Sequence, residues 1–262
     1  MSARAKLPLV AVILIGAALC VLPGPAKAQA SATQVQGDIA AATEPSMTMT
    51  DNPIFAHVLF DQLEGRTNGS ESEFRWDGEA WAGTDLNRLW LKSEGFADDG
   101  AVADGDIEAF YDRPLPRIRY FDGQVGLRED LDSGPHRTWV ALGVEGLAPG
   151  FFQLEPTFYF RDGGHVAGRI TTLYDLRVTQ RIVAQPELEM NFYGKSDPQR
   201  GLGSGLSDLD AGLRLRYEIW RKFAPYVGFA YTRKFGGTAT LSRQIEESTA
   251  EPRLVFGIRV WR

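Results

Sequence analysis

The chain has almost no thiol and little imidazole. Cysteine occurs once, at Cys20, and histidine three times in 262 residues. Cys20 falls in an uncharged run from Leu7 to Leu22 that follows Arg4 and Lys6. Pro23-Gly24-Pro25 breaks the run, and Ala26, Ala28 and Ala30 supply small residues for cleavage. This is the layout of a secretory signal peptide over residues 1–30. The run is too short for the roughly 20 apolar residues that a spanning helix needs. Without Cys20 the mature chain has no thiol, which excludes a disulfide framework, a thiolate metal site and a cysteine nucleophile. A basic surplus is lacking too. There are 28 Lys+Arg against 34 Asp+Glu, and loss of residues 1–30 removes Arg4, Lys6 and Lys27 and no acid, leaving 25 against 34. A nucleic-acid binder would show the opposite sign, so no nucleic-acid partner is expected. No second long apolar run exists, which excludes a multi-helix membrane protein. Membrane strands are not excluded, because alternation dilutes their apolar half with a polar half.

Glycine, by contrast, is abundant at 28 residues, and aromatic side chains make up 11%. That combination suits β-structure with many tight turns. From Asn52 onward a period of two dominates. In Glu73-Phe74-Arg75-Trp76-Asp77-Gly78-Glu79-Ala80 charges alternate with apolar or small residues, and Asp208 to Ile219 repeats the pattern in the opposite phase. Phe152, Leu154, Phe158 and Phe160 alternate with Gln153, Glu155, Thr157 and Tyr159. Such alternation means strands with one apolar and one polar face. It predicts strands over 54–66, 70–82, 86–96, 102–112, 117–129, 137–147, 151–161, 165–183, 187–195, 206–220, 225–236 and 252–261. Short turns are predicted at 83–85, 114–116, 148–150, 184–186 and 223–225. The connections at 97–101, 130–136, 196–205 and 237–251 tend to be longer and are rich in Asp, Gly and Ser.

The polar faces are dense rows of mixed sign, such as Glu73/Arg75/Asp77/Glu79 and Arg169/Asp175/Arg177. The apolar faces carry rings near strand ends, at Phe74, Trp76, Tyr111, Tyr174, Tyr217 and Tyr231. Charges inward and an aromatic girdle outward describe a transmembrane barrel; a soluble lipocalin-like barrel or sandwich would reverse the faces. The expected fold is therefore all-β, a transmembrane antiparallel up-and-down β-barrel of about 12 strands over residues 54–262. The signal peptide and a short flexible periplasmic arm, 31–53, would precede it, with short turns on the periplasmic side. The location implied is the outer membrane, with its lipid around the barrel.

Several segments resemble the copper resistance protein B family. They are Asp61-Gln62-Leu63-Glu64, Trp76 to Trp81, Asp85-Leu86-Asn87-Arg88-Leu89-Trp90, Thr179-Gln180-Arg181-Ile182-Val183, Gln185-Pro186-Glu187-Leu188-Glu189 and Gly201 to Leu206. The resemblance runs over about 51–262. It implies an outer-membrane protein of copper tolerance without catalytic activity, with copper ions as ligand or transported species. A periplasmic multicopper oxidase and copper carriers are the partners it implies. Two features depart from the family. Many relatives have a long Met- and His-rich arm, whereas this arm holds only Met47-Thr48-Met49. The lipid-facing phase of the last strand also ends on Arg262 rather than on an aromatic ring, with Trp261 in the other phase.

Thioether and imidazole are the soft and borderline copper ligands left to such a chain. Met47, Met49, His57, His136 and His165 are the candidates, because Met190 shares the lipid-facing phase of Leu188 and Phe192. His57 has the lumen-facing phase of the first strand, near the arm. His136 and His165 stand where loops enter strands, at the presumed outer mouth, and either remain solvated or pair. Asp104, Asp106, Glu108 and Asp112 on one strand, with Asp208 and Asp210 on another, give acidic stretches to the interior. Acids in a pore concentrate cations, but opposed acids and bases in a narrow barrel also simply fill it. Arg88, Lys92 and Arg128 on adjacent strands are the expected partners of these acids. Two rival functions remain beside a copper barrel: a plugged docking barrel, and an outer-membrane lipase, for which no nucleophile elbow or triad is recognisable.

Overall fold

The computed structural model describes residues 53–98, 100–131 and 136–262. The signal peptide, the arm and Met47 and Met49 lie outside the described residues. Twelve long strands form the molecule: β1 (Phe55–Thr67), β2 (Ser72–Gly83), β3 (Arg88–Asp98), β4 (Ala101–Pro114), β5 (Phe121–Asp130), β6 (Thr138–Ala148), β7 (Phe152–Arg161), β8 (His165–Leu173), β10 (Ile182–Tyr193), β11 (Gly205–Tyr217), β12 (Phe223–Lys234) and β13 (Ala250–Trp261). A two-residue strand, β9 (Leu176–Arg177), pairs with the start of β10. Neighbours in sequence pair antiparallel around the sheet, and β13 returns to β1, with Leu59 opposite Trp261 and Thr67 opposite Leu254. Val58 and Arg262 complete the seam by exchanging backbone hydrogen bonds of 2.9 and 2.8 Å. Closure leaves no long strand with an unpaired edge, the condition for a sheet in lipid.

The faces are those of a membrane barrel. Leu127, Val140, Leu142, Phe158, Leu213, Leu215, Val227, Phe229 and Phe256 are exposed, while Glu64, Arg66, Arg75, Asp106, Glu108, Arg214 and Arg216 are buried. At roughly 25 cal/mol per Å² of apolar area, the outer band belongs in hydrocarbon. The outward phase is not uniformly exposed, however. Trp76, expected in the girdle, is buried. It lies against Gly95 and Gly105, where a Cβ would stand 2.6 and 3.1 Å from its ring, and its indole nitrogen donates to the Ser93 hydroxyl at 3.1 Å. Leu63, Phe74, Ala97, Val102 and Leu131 cover it.

Several boundaries and one element differ from expectation. The stretch 165–183 is not one strand: β8 ends at Leu173, and β10 already begins at Ile182. Ala184-Gln185-Pro186 lies inside β10 and Phe223-Ala224-Pro225 inside β12, the turns being 174–181 and 218–222 instead. The connection predicted as a loop over 237–251 contains helix α1 (Gly236–Gln244). The connection between β3 and β4, predicted as one of the longer ones, is only 99–100. The barrel end with turns 84–87, 115–120, 149–151, 174–181 and 218–222, where β1 begins and β13 finishes, is called the turn end below. The opposite end is the loop end.

Candidate functional site in the barrel lumen

The lumen is crossed by a belt of ion pairs, several of them between strands that are not neighbours. Arg214 of β11 donates to Glu64 of β1 at 2.9 Å, to Gln62 of β1 at 2.8 Å and to Glu187 of β10 at 2.8 Å. Gln62 itself donates to Glu187 at 2.8 Å. Arg66 joins Glu64 at 2.7 Å to Asp210 at 2.9 Å. Arg75 of β2 reaches Glu189 of β10 at 3.0 Å, and Arg169 of β8 reaches Asp106 of β4 at 2.7 Å and also Glu94 of β3. The Arg66 and Arg75 guanidiniums stand 5.2 and 4.9 Å from the Phe96 ring centre. A bulge in β1 between Phe60 and Gln62 shifts its register against β2. By alternation, Leu59 and Asp61 then face inward before it and Gln62, Glu64 and Arg66 after it.

On the turn-end side of the belt lies a cavity of about 390 Å³. Nine carboxylates line it against three cations, Lys92, Arg169 and Arg259. Lys92 reaches across to Glu145 of β6 at 2.8 Å and to Glu155 of β7, and Arg259 pairs with Asp61. The loop-end side has only a cleft of about 20 Å³, lined by Arg128, Arg137, Arg161, Lys195 and Arg200 against Asp130 and Asp197. The cavity and this cleft therefore differ in sign.

The acids singled out in the sequence do not form one file. Asp106 and Glu108 line the cavity. Asp112 is buried beside Arg88 at 3.1 Å and Gln124 at 3.2 Å. Asp104 is exposed. Asp208 accepts from Asn191 at 2.9 Å, and Asp210 belongs to the belt. Of the cations expected to partner Asp104, Asp106 and Glu108, Arg128 stands 3.1 Å from Asp106, whereas Arg88 serves Asp112 and Asp122, and Lys92 serves Glu145 and Glu155. Asp77 and Glu79, in a row read as inward, do line the cavity; Asp61, Glu94, Glu145, Glu155 and Asp175 were not singled out as a path. Their signal was present as single acids in the polar phase, but which of them share a cavity depends on closure.

His57 is half-buried at the turn end, its ring 6.2 Å from Trp81 and 5.6 Å from Trp261. His136 is exposed, with Nδ1 3.2 Å from Glu129, and His165 lines the loop-end cleft. Among the described residues no three His, Cys, Asp or Glu side chains are grouped to hold a metal ion. The structure therefore places His57 at the turn end, two residues from Leu59, which lines the cavity, but it assembles no complete copper site from described residues.

Comparison with known proteins fits this architecture. Residues 54–262 match the family model described as copper resistance protein B precursor. A copper resistance protein B homolog of Pseudomonas syringae pv. tomato is 40% identical over 211 residues, covering 80% of this chain and 71% of that one. Copper resistance protein B of Escherichia coli is 36% identical over the same length, with the same coverage. Solved structures of similar shape include the KdgM porin, at 12% identity and TM-score 0.45 over 78% of this chain and 98% of that one. The NanC porin is another, at 10% identity and TM-score 0.49 over 79% and 99%. With its apolar band outward and this match over the whole barrel, the chain belongs to the copper resistance protein B family and is an outer-membrane β-barrel.

Proposed function

We propose that this barrel serves copper tolerance by binding copper ions at its turn end and holding them at the outer membrane. It does so without catalysis. Short turns are the periplasmic feature of outer-membrane barrels, so the turn end faces the periplasm. A multicopper oxidase and copper carriers there would exchange copper with it. The observation that carries this reading is the placement of His57. Its imidazole sits between Trp81 and Trp261, two residues outward along β1 from Leu59, which lines the acidic cavity. Met47 and Met49 lie only a few residues upstream and add the soft donors that copper(I) favours. Asp106, Glu108 and the other cavity acids would concentrate cations behind this site.

Copper titration into the refolded mature barrel tests the reading. Wild type is expected to bind copper at low stoichiometry. The triple variant Met47→Ala, Met49→Ala, His57→Ala is expected to lose that binding while the barrel still assembles. Equal binding by both proteins would remove the site. The plugged docking barrel is the second reading, and the ion-pair belt is the observation that favours it. In that reading the triple variant and wild type would behave alike toward copper.

A further inference from the structure

Exposure along the lumen is lowest at one side of the belt, while Arg169 and Glu94 on its other side still keep 13% and 21%. In the cavity the side chains of Glu145, Glu155 and Asp175 keep 31%, 29% and 37% exposure. At the belt, Glu64 and Arg66 keep none. Beyond it lies the small loop-end cleft, where five cations face two acids. A cation arriving from the turn end meets a surplus of carboxylates; one arriving from the loop end meets arginines and then the belt.

The cavity also contains a carboxylate whose hydrogen bonding is incomplete. Glu108 lines it, yet its side chain is only 5% exposed. Its Oε1 accepts no hydrogen bond, and the nearest guanidiniums, of Arg169 and Arg128, stand at 3.8 and 4.0 Å. A buried acceptor left this way is destabilising unless a further donor arrives. The coordinated water of a hydrated cation is such a donor. The ammonium of Lys92, held between Glu145 and Glu155, already occupies part of the space as a tethered counter-ion. Because no three ligands are grouped to strip an ion of its water, the ion would keep its hydration shell. Three cations line the cavity with the nine carboxylates, and Arg75, Arg128 and Arg216 pair with Glu94, Asp106 and Asp175 from beyond its wall; the surplus of acids that remains, Asp77 and Glu79 among them, favours a divalent ion, which neutralises two carboxylates at once.

We propose that the cavity is a one-ended binding site for hydrated divalent cations, filled from the turn end and closed toward the loop end by the belt. The proposal rests on reading the interior as a cation-handling one, but it does not require copper to be ligated at His57. It makes the reservoir general for divalent ions, with any preference for copper residing at the rim.

The mature chain has no cysteine, so a single Thr171→Cys variant on β8 reports on the cavity, with Gln153→Cys on β7 as a second position. Each variant is first checked for barrel assembly by heat-modifiable mobility. It is then placed in vesicles, with a cleavable C-terminal tag showing which molecules expose the turn end. Impermeant cationic and anionic methanethiosulfonates of similar size are added outside, with manganese(II) as the divalent probe. The labelled fraction is expected to equal the tag-cleavable fraction. The cationic reagent should react at least about tenfold faster, the low end of electrostatic focusing. Manganese should slow it, and Lys92→Met should let manganese do so at several-fold lower concentration. Labelling of both orientations, equal rates for the two reagents or absence of protection by manganese would each overturn the proposal. No copper is present, so failure here leaves the copper titration standing, and equal copper binding by the triple alanine variant leaves this site standing.

Discussion

At the scale of single residues, Arg214 ties the interior together. It is 1% exposed and binds Glu64, Gln62 and Glu187 on two other strands. Removing one member of a buried ion pair strands the charge of its partner, which costs about 3–5 kcal/mol. Arg214→Ala is expected to lose that much stability, measured by urea unfolding in detergent, and Arg214→Ala with Glu64→Gln to lose less than the single changes add up to. A loss below about 1 kcal/mol for Arg214→Ala would mean that the belt is not a supporting structure. These partners were only partly legible in the sequence. The pairing of Arg128 with Asp106 followed from alternation and strand adjacency. The reach of Lys92 to β6 and β7 did not. That contact crosses the lumen, and its length is set by barrel radius and tilt, which no local pattern encodes.

At the scale of elements, alternation placed nearly all the strands, and proline misled the rest. Pro186 and Pro225 read as turn residues, but they sit within β10 and β12, opposite Leu213 and Ile258. Proline ends a strand only where its missing N–H is needed by the ladder. Helix α1 was invisible for the opposite reason. Its sequence, Gly236-Gly237-Thr238-Ala239-Thr240-Leu241-Ser242-Arg243-Gln244, begins with two glycines and includes two threonines, all poor helix formers. Tertiary contacts hold it: the Gly203 amide donates to the Thr238 hydroxyl at 2.8 Å, Ser207 stands 2.9 Å from the same oxygen, and Lys234 donates to Ser242 at 3.0 Å. Gly203 must be a glycine here, since a Cβ would lie 2.4 Å from the Thr238 nitrogen. Thr238→Val is expected to leave the Gly203 amide without an acceptor, a cost of about 1–3 kcal/mol. Hydrogen exchange should show the loop-end segment 203–207 and α1 opening faster while the barrel strands keep their protection. Uniform protection would show that the helix is held otherwise.

For the whole molecule, the governing fact is that charge is inside and hydrocarbon outside. Such a chain should fractionate with the outer membrane and migrate differently in gels before and after heating; a protein that stays monomeric in detergent-free buffer would contradict the exposed faces of β6, β7, β11 and β12. The same inversion puts an acidic cavity toward the turns and a basic cleft toward the loops, with the belt between them. Sealing by the belt is the claim on which the one-ended cavity depends, and current through single barrels in planar bilayers tests it most directly. Wild type is expected to carry no steady current with or without copper, whereas Arg75→Ala with Arg214→Ala, which removes two of the guanidiniums that reach across the lumen, should conduct and prefer cations. A steady current through wild type that the double variant does not increase would contradict the account.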